Sequence, residues 1–247
     1  MAHLLGDFLF QPSRMVEDKG WGSRLYLPHG FIHLILLMFS IALFTGLNWL
    51  TTPGFWIAAL LYIALHLGID WARLRLQGTR SRMGSASVFV VDQAVHLCTI
   101  LMLAWFLARP SWSMVKSQLS WSPATGERVL EAAVIYVAVI FAGGYFIRYL
   151  TRGLAAEVER AGETQEQIRN AGMYIGWLER FLVVTAILVQ SPSMVGLILT
   201  GKSIARFPKL REHFAEYYLI GTLLSIGLAV IGGLALAKLW YGTILLK

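Results

Sequence analysis

Cysteine is almost absent: Cys98 stands alone in 247 residues. No disulfide framework can form, and there is no cysteine-based zinc motif. Cys98 lies inside an apolar run and is expected to serve as a small packing residue. Charge is scarce as well. Asp, Glu, Lys and Arg make up 14% of the chain, against 57% hydrophobic residues and a mean hydropathy of +0.62. Soluble domains carry roughly 25% charged residues, so lipid is expected to replace water as solvent for much of this surface. The chain also lacks HExxH, Gly-x-Ser-x-Gly, a phosphate-cradling glycine loop and a dinucleotide fingerprint, which excludes common enzyme classes. Met1 to Phe10 has no basic n-region and does not read as a cleavable signal peptide.

What the chain does have is long apolar runs. Five, at about 30–50, 53–73, 87–108, 129–150 and 214–237, are long enough to cross a bilayer as helices. A sixth, 172–190, stops before Ser191-Pro192, because proline cannot continue a helix without losing a hydrogen bond. The apolar stretch from Met194 to Ile204 is short and reads as a half-span that turns back. Broken helices are tolerated in membranes only where protein or a cavity satisfies the backbone. The expected fold is therefore all-α. It is a polytopic helical membrane protein with about six transmembrane helices, a short N-terminal helix that dips in without crossing, and a broken or re-entrant helix near 191–204.

Thr151 to Asn170 is the only strongly polar stretch. It separates regions of different character: a His/Asp-rich membrane half over 1–110, one transmembrane helix with a polar cytoplasmic connection over 111–170, and a C-terminal membrane half with intramembrane charges over 171–247.

Basic residues set the orientation. Fifteen fall on one set of loops and five on the other, with Arg180 left inside a span. The rich side should face the cytoplasm. The net charge of +7 is thus no nucleic-acid signal. It points to anionic membrane lipids as partners, and a second copy of the chain is a further candidate.

The polar residues of the first hundred positions repeat one spacing. His3 with Asp7, His29 with His33, His66 with Asp70, and Asp92 with His96 are each four apart. Residues so spaced share a helix face, one turn above each other. Eight of the ten histidines and aspartates in the chain fall in these pairs. A lone membrane histidine is more often an interhelical hydrogen-bonder than a ligand, and one aspartate near a helix end is often solvated. Four pairs shift that balance. An aspartate within a span costs about 2.5–3.5 kcal/mol, and no Lys or Arg is expected within these spans to offset it. Neutral imidazoles and carboxylates suit zinc, manganese or iron. His3, Asp7, His29, His33, His66, Asp70, Asp92 and His96 are therefore the candidate ligands of a divalent metal, with two ions favoured over one. Gln11 and Gln93 lie within a turn of these ligands and are candidates for hydrogen-bonding them from behind, although an ordinary interhelical contact explains them equally well.

Such a centre activates water and polarises phosphoryl or carbonyl oxygens. The expected function is a metal-dependent membrane hydrolase acting at the cytoplasmic interface on a lipid, lipid-linked or membrane-embedded substrate. Two alternatives stand beside it: a transporter or ion-coupled carrier, favoured by broken helices and buried charges, and a regulatory membrane protein with a structural metal. In the C-terminal half, Glu179, Arg180, Lys202, Arg206 and Glu216 form a candidate intramembrane charge cluster. Glu179 or Glu216 would pair with Arg180 or Arg206, either structurally or around an anionic headgroup.

The stretches AHLLGDFLFQ (2–11), LPHGFIH (27–33), LHLGIDWARLRL (65–76) and FVVDQAVHL (89–97) resemble the bacterial membrane family catalogued as domain of unknown function 3307. The later stretches IGWLER (175–180), GKSIARF (201–207) and AEYYLIGTLLS (215–225) resemble its longer members. The resemblance implies a multi-pass protein of the bacterial inner membrane and carries no activity with it. A looser likeness links the His/Asp arrangement to membrane-bound metal-dependent hydrolases.

Overall fold

A computed structural model describes residues 1–10, 26–45, 47–77, 85–108, 125–160, 166–206 and 212–242. Every regular element among them is helical. Four helices are long and apolar enough to cross a membrane, over Pro53–Arg73, Ala86–Trp105, Glu127–Leu150 and Ala215–Tyr241. The protein is a polytopic all-α membrane protein, and its polarity is inverted accordingly. Met102 and Leu197 are each 72% exposed, while His29 and His33 are fully buried. That distribution suits a bundle whose outer solvent is hydrocarbon. Cys98 is exposed on an outer face, so the packing role expected for it does not hold.

The chain divides into two compact units, Met1–Ser122 and Pro123–Lys247. The first begins with α1 (Ala2–Leu4), which widens into a π-helical turn over Leu5–Leu9. Together they span about 12 Å, too short to cross a hydrocarbon core of about 30 Å. Next come α2 (Tyr26–Thr45), α3 (Pro53–Gln77) and α4 (Ser85–Ala108). Pro53 opens α3 at the first helical position, where a missing N–H costs nothing. The run expected over 30–50 is shifted. Pro28 is accommodated in the first turn of α2, which moves the start back, and a separate 3-10 turn occupies Asn48–Thr51. Side chains hold that turn: Thr51 Oγ1 donates to the Asn48 carbonyl and the Trp56 indole N–H to that of Leu50.

The second unit contains α5 (Thr125–Val137), which runs through a π turn (Ala138–Ala142) into α6 (Gly143–Leu150). Then follow α7 (Arg152–Arg160), α8 (Glu166–Leu188), α9 (Ser193–Arg206) and α10 (Glu212–Tyr241). The break expected at Ser191-Pro192 is present and built from backbone. Gln190 adopts a φ of 58°, the Ser191 N–H donates to the Ala186 carbonyl at 2.8 Å, and the Gln190 N–H donates to that of Ile187 at 3.0 Å. This is the left-handed helix stop usually made with glycine. The Tyr241 hydroxyl donates to the carbonyl of Leu188, satisfying a further helix-end acceptor. With 14 residues, α9 is about 21 Å long, short of a full crossing.

The core of this unit is apolar: Val139, Val183, Val184, Ala229 and Leu236. Glycine lets the helices close on it. A Cβ added at Gly232 would strike Val139, at Gly143 Leu228, and at Gly233 would lie 2.8 Å from the Ile187 Cβ. Gly221 and Gly227 have open space instead and take no part in this close packing.

Gly233→Val is expected to cost about 1–3 kcal/mol through overpacking, whereas Gly221→Ala should cost nothing measurable. Thermal melting of both variants in detergent distinguishes them, and equal losses would refute this packing arrangement.

Candidate metal centre in the N-terminal unit

The inward stripe of each helix in the first unit is polar. On α3 the buried side chains are Ala59, Tyr62, His66 and Asp70, and on α4 they are Phe89, Asp92 and His96. His29 and His33 are the buried pair on α2, and α1 presents His3. The Asp7 side chain, in the π turn, is 10% exposed. Spacing of three and four residues is what places these side chains on one face of each helix. Among the described residues, all eight candidate ligands therefore point into one bundle.

Within it, Asp7 is the hub. Its Oδ1 lies 2.9 Å from His33 Nε2, 3.4 Å from His66 Nε2 and 3.5 Å from His29 Nε2. Asp70 closes the group from α3, with Oδ2 3.4 Å from His29 Nε2 and 3.9 Å from His66 Nε2. The His29 and His66 Nε2 atoms are 3.1 Å apart. The other oxygen of each carboxylate faces a different histidine: Asp7 Oδ2 is 3.7 Å from His3 Nδ1, and Asp70 Oδ1 is 3.9 Å from His96 Nε2. The His3 and His96 rings stack with centroids 4.8 Å apart. Two overlapping four-residue groups result, His3–Asp7–His33–His66 and Asp7–His66–Asp70–His96, in each of which the donor atoms lie within 4.8 Å of one another. Donors around one tetrahedral zinc ion stand roughly 3.3 Å apart, given a bond length of about 2.0 Å. The spacing here is of that order.

Hydrogen bonds from behind orient the rings. His96 Nδ1–H donates to the Asp92 carbonyl at 2.9 Å. In the neutral ring this leaves Nε2 as a bare lone pair, buried and without a hydrogen-bond partner. Leaving a buried acceptor unsatisfied costs about 1–3 kcal/mol. A cation placed there would relieve that cost. Tyr62 Oη is hydrogen-bonded to His33 Nδ1 at 3.2 Å, directing Nε2 toward Asp7. Gln93 Oε1 is 3.3 Å from His3 Nε2, and Gln93 Nε2–H donates to Asp92 Oδ2 at 3.0 Å. Burial pushes the His3 imidazole down to about 4, against the opposing pull of the Asp7 carboxylate. Neutral imidazole is the form that binds metal.

Three features correct or extend the sequence reading. Asp92 and His29 stand outside both four-residue groups, although His29 still faces Asp7 and Asp70. Arg73 Nη1–H donates to Asp92 Oδ2 at 2.9 Å, so an arginine from the end of α3 does offset one aspartate. Tyr62 was not foreseen, although it continues the same four-residue step through His66 to Asp70. Gly6 was not foreseen either. A Cβ there would lie 2.5 Å from the His33 ring, so only glycine lets α1 approach this closely. Gln11 lies outside the described residues.

In the second unit the structure brings together two members of the expected charge cluster. Glu179 pairs with Lys202 from α9. Arg180 is buried and donates from Nε and Nη2 to the Ile140 carbonyl at 3.1 and 2.7 Å, and from Nη1 to Ser225 Oγ at 3.0 Å. Ile140 lies in the π turn, where the helical ladder is disturbed and a carbonyl can turn to a side chain. Glu216 is exposed. The Arg206 backbone ends α9.

Fold and centre together define the first unit as a helical membrane domain with a histidine–aspartate core. Residues 1–122 match the model of the family described as "Protein of unknown function (DUF3307)". The matched segment coincides with the first compact unit. The stretches at 175–180, 201–207 and 215–225 lie outside it. No curated protein and no solved structure matches the chain.

Gly6→Val is expected to unseat α1 from the His33 ring. Amide exchange over residues 2–9 should accelerate about tenfold or more. Unchanged exchange would show that this contact does not hold the segment.

Proposed function

We propose that the first unit is the divalent-metal centre of an integral membrane hydrolase. The observation that carries this reading is the Asp7 Oδ1 atom, faced by three imidazole Nε2 atoms from two other helices at 2.9–3.5 Å. Hydrogen bonds alone use this arrangement poorly, because the His29 and His66 nitrogens also face each other and cannot both present a proton in that contact. A cation accepts all the lone pairs at once.

Two ions suit the division of the carboxylates. Asp7 and Asp70 each turn one oxygen to the His29 and His66 side and the other to His3 or His96. Asp7 and Asp70 would thus help to hold both ions. Zinc, manganese and iron all accept such a mixed nitrogen and oxygen set. A metal so held lowers the pKa of water toward ~7 and polarises a phosphoryl or carbonyl oxygen. The residues of this chain would hold that chemistry among helices whose outer faces meet lipid. Substrates reaching it from a lipid, lipid-linked or membrane-embedded source follow from that placement. The excess of basic residues on one set of loops supports a centre toward the cytoplasmic side; in this reading the membrane is a bacterial inner membrane, with α2 and α8 as crossings five and six beside the four long apolar helices.

A carrier reading draws on the second unit instead. There the two helices that meet at the break, α8 and α9, also join through the Glu179–Lys202 pair, and Arg180 is buried. It predicts ion flux in liposomes that Lys202→Ala abolishes.

Elemental analysis of detergent-purified protein tests the hydrolase reading. Wild type should retain divalent metal, and Asp7→Asn or Asp70→Ala should lose it. Asp92→Asn should keep it with affinity reduced about tenfold, as expected of a group acting from behind a ligand. Metal-free wild type of undiminished stability sinks the reading.

A further inference from the structure

We infer that the substrate hydrolysed at this centre is a phosphate ester. The inference rests on the two-ion reading above and takes it one step further, through charge. The Asp92 carboxylate is neutralised by Arg73 at 2.9 Å, so it brings no net charge to the centre. His3, His29, His33, His66 and His96 serve as ligands in their neutral form. Only Asp7 and Asp70 remain as anionic ligands. Two divalent ions bring four positive charges against their two negative ones, and a hydroxide derived from water reduces the excess to one. The ligands are buried in a bundle surrounded by hydrocarbon, where net charge is strongly disfavoured.

Substrate charge settles that balance. A carboxylic ester or a peptide bond is neutral and leaves the excess in place. A phosphodiester monoanion cancels it, and a phosphomonoester dianion cancels it when it displaces the hydroxide. The rim of the centre supports the same choice. Arg73, with its side chain 23% exposed, puts a cationic guanidinium at the Asp92 edge of the centre, a group that attracts phosphate oxygens. Hydrolysis of such an ester needs no oxidant or reductant. The oxygen of water bonds to phosphorus, and the ester P–O bond breaks with its electron pair on the alkyl oxygen. That oxygen takes up a proton from the same water.

The test uses the full chain in detergent, loaded with Mn2+ or Zn2+, with the metal-to-protein ratio measured first. Titration calorimetry with inorganic phosphate should show binding to the loaded protein at least about tenfold tighter than to metal-free protein. Arg73→Gln releases the Asp92 charge into the centre. It should weaken phosphate about tenfold while metal content holds, and adding Asp92→Asn should restore the affinity. Loaded protein should also hydrolyse 4-nitrophenyl phosphate in preference to 4-nitrophenyl acetate. Vesicles with and without phosphatidic acid, run beside glycerol phosphate, then assign the ester to a lipid headgroup or to a soluble compound. Protein holding two ions that binds phosphate no better than metal-free protein, or that prefers the acetate, overturns the phosphate inference and leaves the metal centre standing. One bound ion overturns the inference too, because the charges then balance without an anion. Protein that holds no metal removes the hydrolase reading itself.

Discussion

A carboxylate buried in a bundle whose outer face meets hydrocarbon has no water to turn to. It must find every partner inside the bundle, and the elements around it must be shaped to bring those partners within reach. Asp7 imposes this constraint on the first unit. Its oxygens are met by side chains of α2 and α3 and by His3 of its own segment. Around it the structure makes concessions: a π turn where an α-helix would continue, and a glycine where a side chain would hold α1 away. Asp92 meets the same constraint differently, through an arginine that reaches it from the end of α3.

The second unit obeys the same rule with the opposite charge. Arg180 is buried in a span, and a backbone carbonyl of the π turn with the Ser225 hydroxyl accept its N–H groups. Its core is otherwise aliphatic and drawn together by Gly143, Gly232 and Gly233. Among its described residues the first unit centres on a cluster of imidazoles and carboxylates. Apolar packing is enough to join helices, as the second unit shows. A polar cluster of this size is an expensive alternative to apolar packing within a membrane.

Much of this was legible in the sequence because two periodic signals are strong. Apolar runs of about twenty residues mark helices, and ends such as Pro53 and Ser191-Pro192 carry their own local chemistry. The four-residue step between His and Asp marks the ligand candidates, since that step alone places two side chains on one helix face. Other features were hidden for physical reasons. Tyr62 is a common residue in membrane helices, and its role appears only when His33 is seen beside it. Gly6 looks like any small residue until a ring is found against it. The partner of Glu179 depends on how α9 folds back after the break, which no spacing along one helix records.

The amino-acid sequence by itself determined that this is an all-helical membrane protein, where several of its helices lie, and which faces carry histidine and aspartate. Those properties follow from hydropathy and from the helical repeat, and both are local. Only the tertiary structure decided that four helical segments bring those faces to one point, that Asp7 is the hub, and that Arg73 withdraws Asp92 from it. Such choices depend on distances between residues tens of positions apart. In a bundle those distances are set by how the helices pack, not by the pattern along any one of them.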